Sequence, residues 1–134
     1  MQKKTFLITG GSGGIGSALA HKLIKTSYTP LIVYKSNREK AEDLAKAVDG
    51  EAIELNLIDL NAVDRVVDNL ASSHAVLAGV VLGASAPLKI TSFGHISEQD
   101  MENQWRVNVL GHQRLLAGLV RKVFSKHKQE IKVY

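Results

Sequence analysis

Residues 9–16 read TGGSGGIG, directly after the apolar run Phe6-Leu7-Ile8 and directly before SALAHKLIK, residues 17–25. A glycine cluster between a strand-like run and a helix-like run has a physical use. The chain turns sharply out of the strand, its backbone approaches a phosphate closely, and the new helix packs tightly on the sheet; a Cβ would obstruct each of these. The unpaired N–H groups and positive end of the helix then face the anion. Two registers fit: Gly11-x-Gly13-x-x-Gly16, and Thr9-Gly10-x-x-x-Gly14-x-Gly16. Glycine also collects in flexible loops, so the strand before and the helix after are what make this a candidate phosphate or dinucleotide cradle.

Outward from this octet the chain alternates. KTFLIT reads as a strand and IGSALAHKLIK as a helix with Ile15, Ala18, Leu19 and Leu23 on one side. TPLIVY is a second strand, with Pro30 near its start, and REKAEDLAKAV a second helix ending near Gly50. EAIELNL is a third strand, and LNAVDRVVDNLA a third helix turning Val63, Val66, Val67 and Leu70 to the core. AVLAGVVLGA contains a fourth strand, apolar throughout, as a sheet covered on both faces requires. An irregular stretch around Pro87 and Gly94 leads to Ser97 and Asp100, spaced as a helix N-cap pair, and a long helix is expected from there toward Lys126. The terminal EIKVY reads as the start of a fifth strand. The alternation predicts an α/β, Rossmann-type doubly wound parallel sheet of about four strands plus the start of a fifth, with ligand bound at the carboxyl ends of the strands.

Composition narrows the classes. With 134 residues, 45% hydrophobic and 22% charged, residues 1–134 fit one globular domain. There is no cysteine, which removes disulfides, thiolate metal sites and cysteine nucleophiles, and a reducing, cytoplasmic setting is expected. No run approaches the roughly 20 apolar residues of a membrane span, and no secretory leader is read at the N-terminus. The net charge of +4 is mostly scattered; its densest cluster, Arg121-Lys122 and Lys126-His127-Lys128, reads as a solvated helix end, so no nucleic-acid surface is expected. His21, His74, His95, His112 and His127 lack close metal-ligand spacing; most are expected at the surface or boundary, with no metal site. Ser85 and His95 do not form a hydrolase pair, since no G-x-S-x-G elbow is present. Trp105 reads as a packing residue of the long helix.

With T-G-x-x-x-G-x-G at residues 9–16 and WRVNVLGHQRLL at residues 105–116, the sequence resembles the short-chain dehydrogenase/reductase family along nearly its whole length. The resemblance implies that Gly10, Ser12, Gly14, Ile15 and Gly16, with Gly13 between them, line a pyrophosphate. It also implies that Asn108 is the family's active-site asparagine, which helps hold a water in a proton relay. Cofactor preference follows from charge. An NAD site usually places a carboxylate at the end of the second strand. Here Tyr34-Lys35-Ser36-Asn37-Arg38 stands there, and the first acid, Glu39, belongs to the next helix. Lys, Ser, Asn and Arg each donate to a 2′-phosphate, so NADP(H) is expected over NAD(H). Asn56-Leu57 takes the place of the family's Asp-aliphatic pair beside adenine. Leu82-Gly83-Ala84-Ser85 takes the place of its Asn-Asn-Ala-Gly, so Gly83, Ala84 and Ser85 are expected at the cofactor, with the bracing of that loop open.

The family's proton donor is a Tyr-x-x-x-Lys pair with a nearby Ser. The tyrosines here are Tyr28, Tyr34 and Tyr134, and none has lysine four residues on. The expectation is therefore the cofactor-binding half of an enzyme acting on a small carbonyl or alcohol substrate. Such a half is truncated before its catalytic Ser, Tyr and Lys and is inactive alone. The stretch VYKSNREKAEDL is most similar to 3-oxoacyl reductases of the family. The long helix near 98–126 is expected to keep an apolar face that a partner subunit covers, so the chain self-associates. The alternative is a non-catalytic NADP(H)-binding or sensing module.

Overall fold

The computed structural model describes residues 4–73, 76–126 and 130–134. The expectations for His74, His127 and Lys128 lie outside the described residues. Among the described residues five parallel strands form one sheet: β1 (Lys4–Thr9), β2 (Tyr28–Tyr34), β3 (Glu51–Glu54), β4 (Val76–Leu82) and β5 (Lys132–Val133). Their spatial order is β3-β2-β1-β4-β5. Helices α1 (Gly14–Leu23), α2 (Arg38–Ala47) and α3 (Leu60–Ser72) make the crossovers, and α4 (Glu98–Trp105) and α5 (His112–Lys122) follow β4. The expected α/β doubly wound parallel sheet is the fold. The chain leaves β1 for one side of the sheet and returns through β4 on the other, so the strand order reverses between these two neighbours. A crevice opens at their carboxyl ends.

Two apolar layers hold the sheet. On one face Ile8, Ile32 and Tyr34 pack with Ala20 of α1 and Ala41, Leu44 and Ala45 of α2. On the other, Leu7, Leu31 and Val80 pack with Val63 and Val67 of α3 and Leu115 and Leu119 of α5. Successive residues Leu7 and Ile8 of β1 thus serve opposite layers, which is why the run Phe6-Leu7-Ile8 is apolar without interruption. Outside the apolar layer, Arg114 forks onto Asp64, Nε to Oδ1 at 2.8 Å and Nη2 to Oδ2 at 2.7 Å, and ties α5 to α3. β5 pairs with β4 as expected for EIKVY, setting Gly79 beside Lys132 and Val80 beside Val133.

Four sequence expectations need correction. In α1 the buried positions are Gly16 and Ala20, while Ile15 is 88% exposed and Ala18 also faces out. The contact of Gly16 with the loop sets the rotation of the helix. A Cβ there would lie 2.3 Å from the Gly10 carbonyl oxygen, so residue 16 must face inward and its neighbour 15 turns away. The third strand ends at Glu54 rather than running through Leu57. Leu55 still donates its N–H to Tyr34 O at 2.8 Å, and Leu55 and Leu57 then turn their side chains into the core as the chain heads for Asp59, the N-cap of α3. The long helix is interrupted: between α4 and α5 residues Arg106–Gly111 wind as a π segment. Its start is as read, since Ser97 accepts from Asp100 N and Asp100 reaches back to the Ser97 N–H in a reciprocal cap. Trp105 is 58% exposed rather than packed in the core.

Candidate cofactor cleft

The crevice at the strand ends is a cleft of ≈ 410 Å³. One wall is the glycine loop. Gly10 has φ +66°, and a Cβ on it would lie 2.9 Å from Ala84 Cα and N, so the loop after β1 and the loop after β4 touch backbone to backbone. The loop then closes on itself, with Gly13 N donating to Gly10 O at 3.0 Å. Helix α1 begins at Gly14 with no side-chain cap and no acid in its first turn, whereas Asn37, Asp59 and Ser97 cap α2, α3 and α4 with their side chains. A Cβ on Gly14 would meet no atom within 4 Å. An uncapped helix end with open space beside a Cβ-free backbone fits an anionic phosphate group.

Gly10, Ser12, Gly13, Tyr34, Lys35, Ser36, Asn37, Asn56, Leu57, Gly83, Ala84 and Ser85 all border the cleft. Gly14, Ile15, Gly16, Arg38 and Asn108 are not in its lining. Gly16 is buried against the loop, and Ile15 projects from α1. Sequence reading missed Val33, Leu55, Ala86, Pro87 and Val107, apolar wall residues whose place depends on the tertiary packing.

Arg38 stands at the rim. Its Nε donates to the Tyr34 hydroxyl oxygen at 3.1 Å and its Nη2 to Glu54 Oε2 at 3.2 Å; these bonds, Tyr34 first, raise its already high pKa. An acid does stand beside the end of β2: β3 pairs with β2 in a register that sets Glu54 beside Tyr34. Lys35 and Ser36 are exposed at the same rim. Asn56 folds onto its own turn, Oδ1 accepting from Ile58 N at 3.2 Å.

Opposite the glycine loop, residues 83–87 carry no asparagine, yet the loop is braced. Ala84 N donates to Thr9 Oγ1 at 3.1 Å, and Ala86 N donates to Asn108 Oδ1 at 2.9 Å. Asn108 Nδ2 in turn donates to Gln104 Oε1, and Gln104 Nε2 to the Pro87 carbonyl. Asn108 thus sits on the π segment with its amide spanning to the loop. His112, one of five histidines of which most were expected at the surface or boundary, is 6% exposed beneath this wall. Burial pushes its pKa down, opposed by a hydrogen bond to the Asn108 backbone. Among the described residues no group of three or more His, Cys, Asp or Glu is placed to hold a metal ion, and no helix is long and apolar enough to cross a membrane.

Known proteins place this architecture. The chain is 25% identical over 134 residues to an NADP-dependent 3-hydroxy acid dehydrogenase of Schizosaccharomyces pombe, covering 96% of this chain and 52% of that protein. It is 28% identical over 130 residues to the 3-oxoacyl-(acyl-carrier-protein) reductase FabG of Aggregatibacter actinomycetemcomitans, covering 93% and 53%. A short chain dehydrogenase of Burkholderia cenocepacia, solved in complex with NADP, superimposes with a TM-score of 0.82 at 27% identity, covering 91% of this chain and 51% of that one. The chain spans about half the length of the curated relatives it matches. The short chain dehydrogenase family profile matches residues 4–131, and this chain belongs to that family.

Proposed function

We propose that residues 1–134 form the dinucleotide-binding unit of an NADP(H)-dependent oxidoreductase that interconverts a carbonyl and an alcohol. The observation that carries this reading is the glycine loop at the strand switch point, opening onto unfilled space at the uncapped head of α1. Gly10, Ser12, Gly13 and Gly14 would face the pyrophosphate, and the Gly16 contact would keep the helix pointed at it. Asn56 and Leu57 would border the adenine. Gly83, Ala84 and Ser85 would border the nicotinamide ribose. The bound nicotinamide supplies or accepts the hydride. Support for NADP(H) over NAD(H) is Lys35, Ser36 and Asn37 in the cleft lining, with Arg38 next to them in the chain and the S. pombe relative NADP-dependent by name. The 3-oxoacyl reductase likeness supports an oxoacyl-type substrate.

The proton donor of this reading is a Ser and Tyr-x-x-x-Lys set in polypeptide outside these 134 residues, with Asn108 at the active-site end of the cleft. The exposed Met101, Trp105 and Val109 support self-association through the 98–126 helical rod, and the absence of cysteine agrees with a cytoplasmic setting. The second reading, a non-catalytic NADP(H)-binding module, is favoured by one observation: no tyrosine in these 134 residues is followed four positions later by lysine. The gene sequence after Tyr134 separates the two.

Titrating the 134-residue chain with NADPH and NADH, read by nicotinamide fluorescence, tests the core of the proposal. Saturable binding is expected, tighter for NADPH by about tenfold or more, the scale of one charge-assisted hydrogen bond. Binding of neither cofactor overturns the function, and tighter NADH binding overturns the preference.

A further inference from the structure

Thr9 and His112 are 103 positions apart, and among the described residues they are the buried polar side chains, at 0% and 6% exposure. They are bonded to each other, Thr9 Oγ1 to His112 Nε2 at 2.8 Å. Two apolar residues would fill this space with no desolvation of polar groups, so the pair is retained for what it orients rather than for burial itself. Each partner has a second attachment on the cleft. Thr9 ends β1, where the glycine loop begins, and its Oγ1 also accepts from Ala84 N at 3.1 Å. His112 opens α5, and its own N–H goes to the Val109 carbonyl while its ring takes a hydrogen bond to the Asn108 backbone. With Nδ1–H donated to the Asn108 carbonyl, Nε2 is the acceptor and Thr9 donates its O–H to it. The Thr9 hydroxyl is then used in both senses, and its oxygen is fixed where Ala84 N–H needs it. Asn108 completes the circuit from the other side by accepting from Ala86 N at 2.9 Å.

We propose that His112 is a positioning residue of the dinucleotide cleft. Its imidazole locks the end of β1, the 83–86 loop and the Asn108 segment into one rigid wall. The inference rests on reading the cleft as the NADP(H) site, and it assigns a role to a side chain that is not itself in the cleft lining. Leucine at 112 would fill the space but leave the Thr9 O–H only the Val81 carbonyl, at 3.4 Å. Glutamine can present an oxygen where Nε2 stands.

The experiment combines ring ¹⁵N NMR of the 134-residue chain with NADPH titration of variants. In the wild type, His112 is expected as the Nδ1-protonated tautomer, with an Nε2 resonance that moves in Thr9→Val. His112→Leu should weaken NADPH by about tenfold, while the Thr9→Val, His112→Leu double variant, which leaves no orphaned hydroxyl, should keep or raise the melting temperature without regaining affinity, and His112→Gln should restore affinity to within about threefold, as a single hydrogen bond dictates. Thr9→Val should lose about as much as His112→Leu, with no further loss in the double variant, as groups acting through one bond do. Affinity that simply follows melting temperature across the series, equal binding by His112→Leu and the wild type, or additive losses in the double variant would each overturn the proposal. If the wild type binds no NADPH, the cofactor reading fails and the positioning role with it. An Nε2-protonated ring, or a resonance indifferent to Thr9→Val, removes the Thr9–His112 link while leaving the cofactor reading intact.

Discussion

Two glycines of the loop, two residues apart, should respond oppositely to the same added methyl group. At Gly16 a Cβ would lie 2.3 Å from Gly10 O and 2.7 Å from Gly11 Cα, both backbone atoms that cannot rotate away. Gly16→Ala must push α1 off the loop, and overpacking of this kind costs about 1–3 kcal/mol, or roughly 4–10 °C in melting temperature for a domain this size. At Gly14 the added Cβ meets no atom within 4 Å. Gly14→Ala therefore gains helix propensity, up to about 1 kcal/mol, and should melt at or slightly above the wild type. If the open space beside Gly14 is where a pyrophosphate sits, the same methyl group displaces the ligand, and NADPH affinity falls by about tenfold to a hundredfold for 1–3 kcal/mol of overlap. Thermal unfolding by circular dichroism and NADPH fluorescence titration read the two effects separately. A stable Gly14→Ala protein that binds NADPH as tightly as the wild type would refute the idea that the space is reserved for a phosphate. An unchanged melting temperature in Gly16→Ala would refute the packing account of α1.

Leu115, wholly buried between the sheet and α3, should cost about 3 kcal/mol when cut to alanine, seen as a melting temperature lower by roughly 10 °C. The Arg114 fork holds the Asp64 carboxyl below its usual pKa, and Ser97 and Lys89 do the same for Asp100. The stability these groups contribute is fully present above the unfolded carboxylate value near pH 4 and is lost as pH falls through their lower folded values, so Arg114→Gln should flatten the acid limb of a melting-temperature profile. Burial lowers the His112 pKa, so the unfolded chain takes up this proton first. Stability should decline as pH drops from about 6.5, and His112→Gln should remove that slope.

How much of this was readable in advance depended on the distance over which each feature is specified. The β1–loop–α1 unit is local: an apolar run, a glycine cluster and a helix pattern lie within 22 residues, and the strand bounds Lys4–Thr9 match the reading of KTFLIT. The cap of α4 is equally local, a Ser and an Asp three apart. Glu54 was invisible as a neighbour of Arg38 because their meeting depends on the register that pairs Tyr34 with Glu54 across two strands. The π segment escaped because one extra residue in a turn barely disturbs an apolar period of three to four. The inward turn of Gly16, which put Ile15 outside, is set by the loop it packs on rather than by the helix pattern.

The loop after β4 shows why a motif can change its letters and keep its geometry. Leu82-Gly83-Ala84-Ser85 contains no asparagine, so a reading based on side chains finds nothing to hold it. The donors that do hold it are the backbone N–H groups of Ala84 and Ala86, which every residue except proline carries. The acceptors are side chains elsewhere, Thr9 on β1 and Asn108 on the π segment. Changing the side chain at Ala84 or Ser85 leaves these backbone donors in place, whereas substitution of Thr9 or Asn108 removes an acceptor, and at Gly83 an added Cβ would lie 2.9 Å from the Thr9 carbonyl oxygen. The constraint has moved from the residues that line the cleft to the two that stand behind it. Asn108 was singled out by its motif, whereas His112, four residues on in the same stretch, was given no role by that motif, and its bond to Thr9 becomes visible only once β1 and α5 are seen in contact.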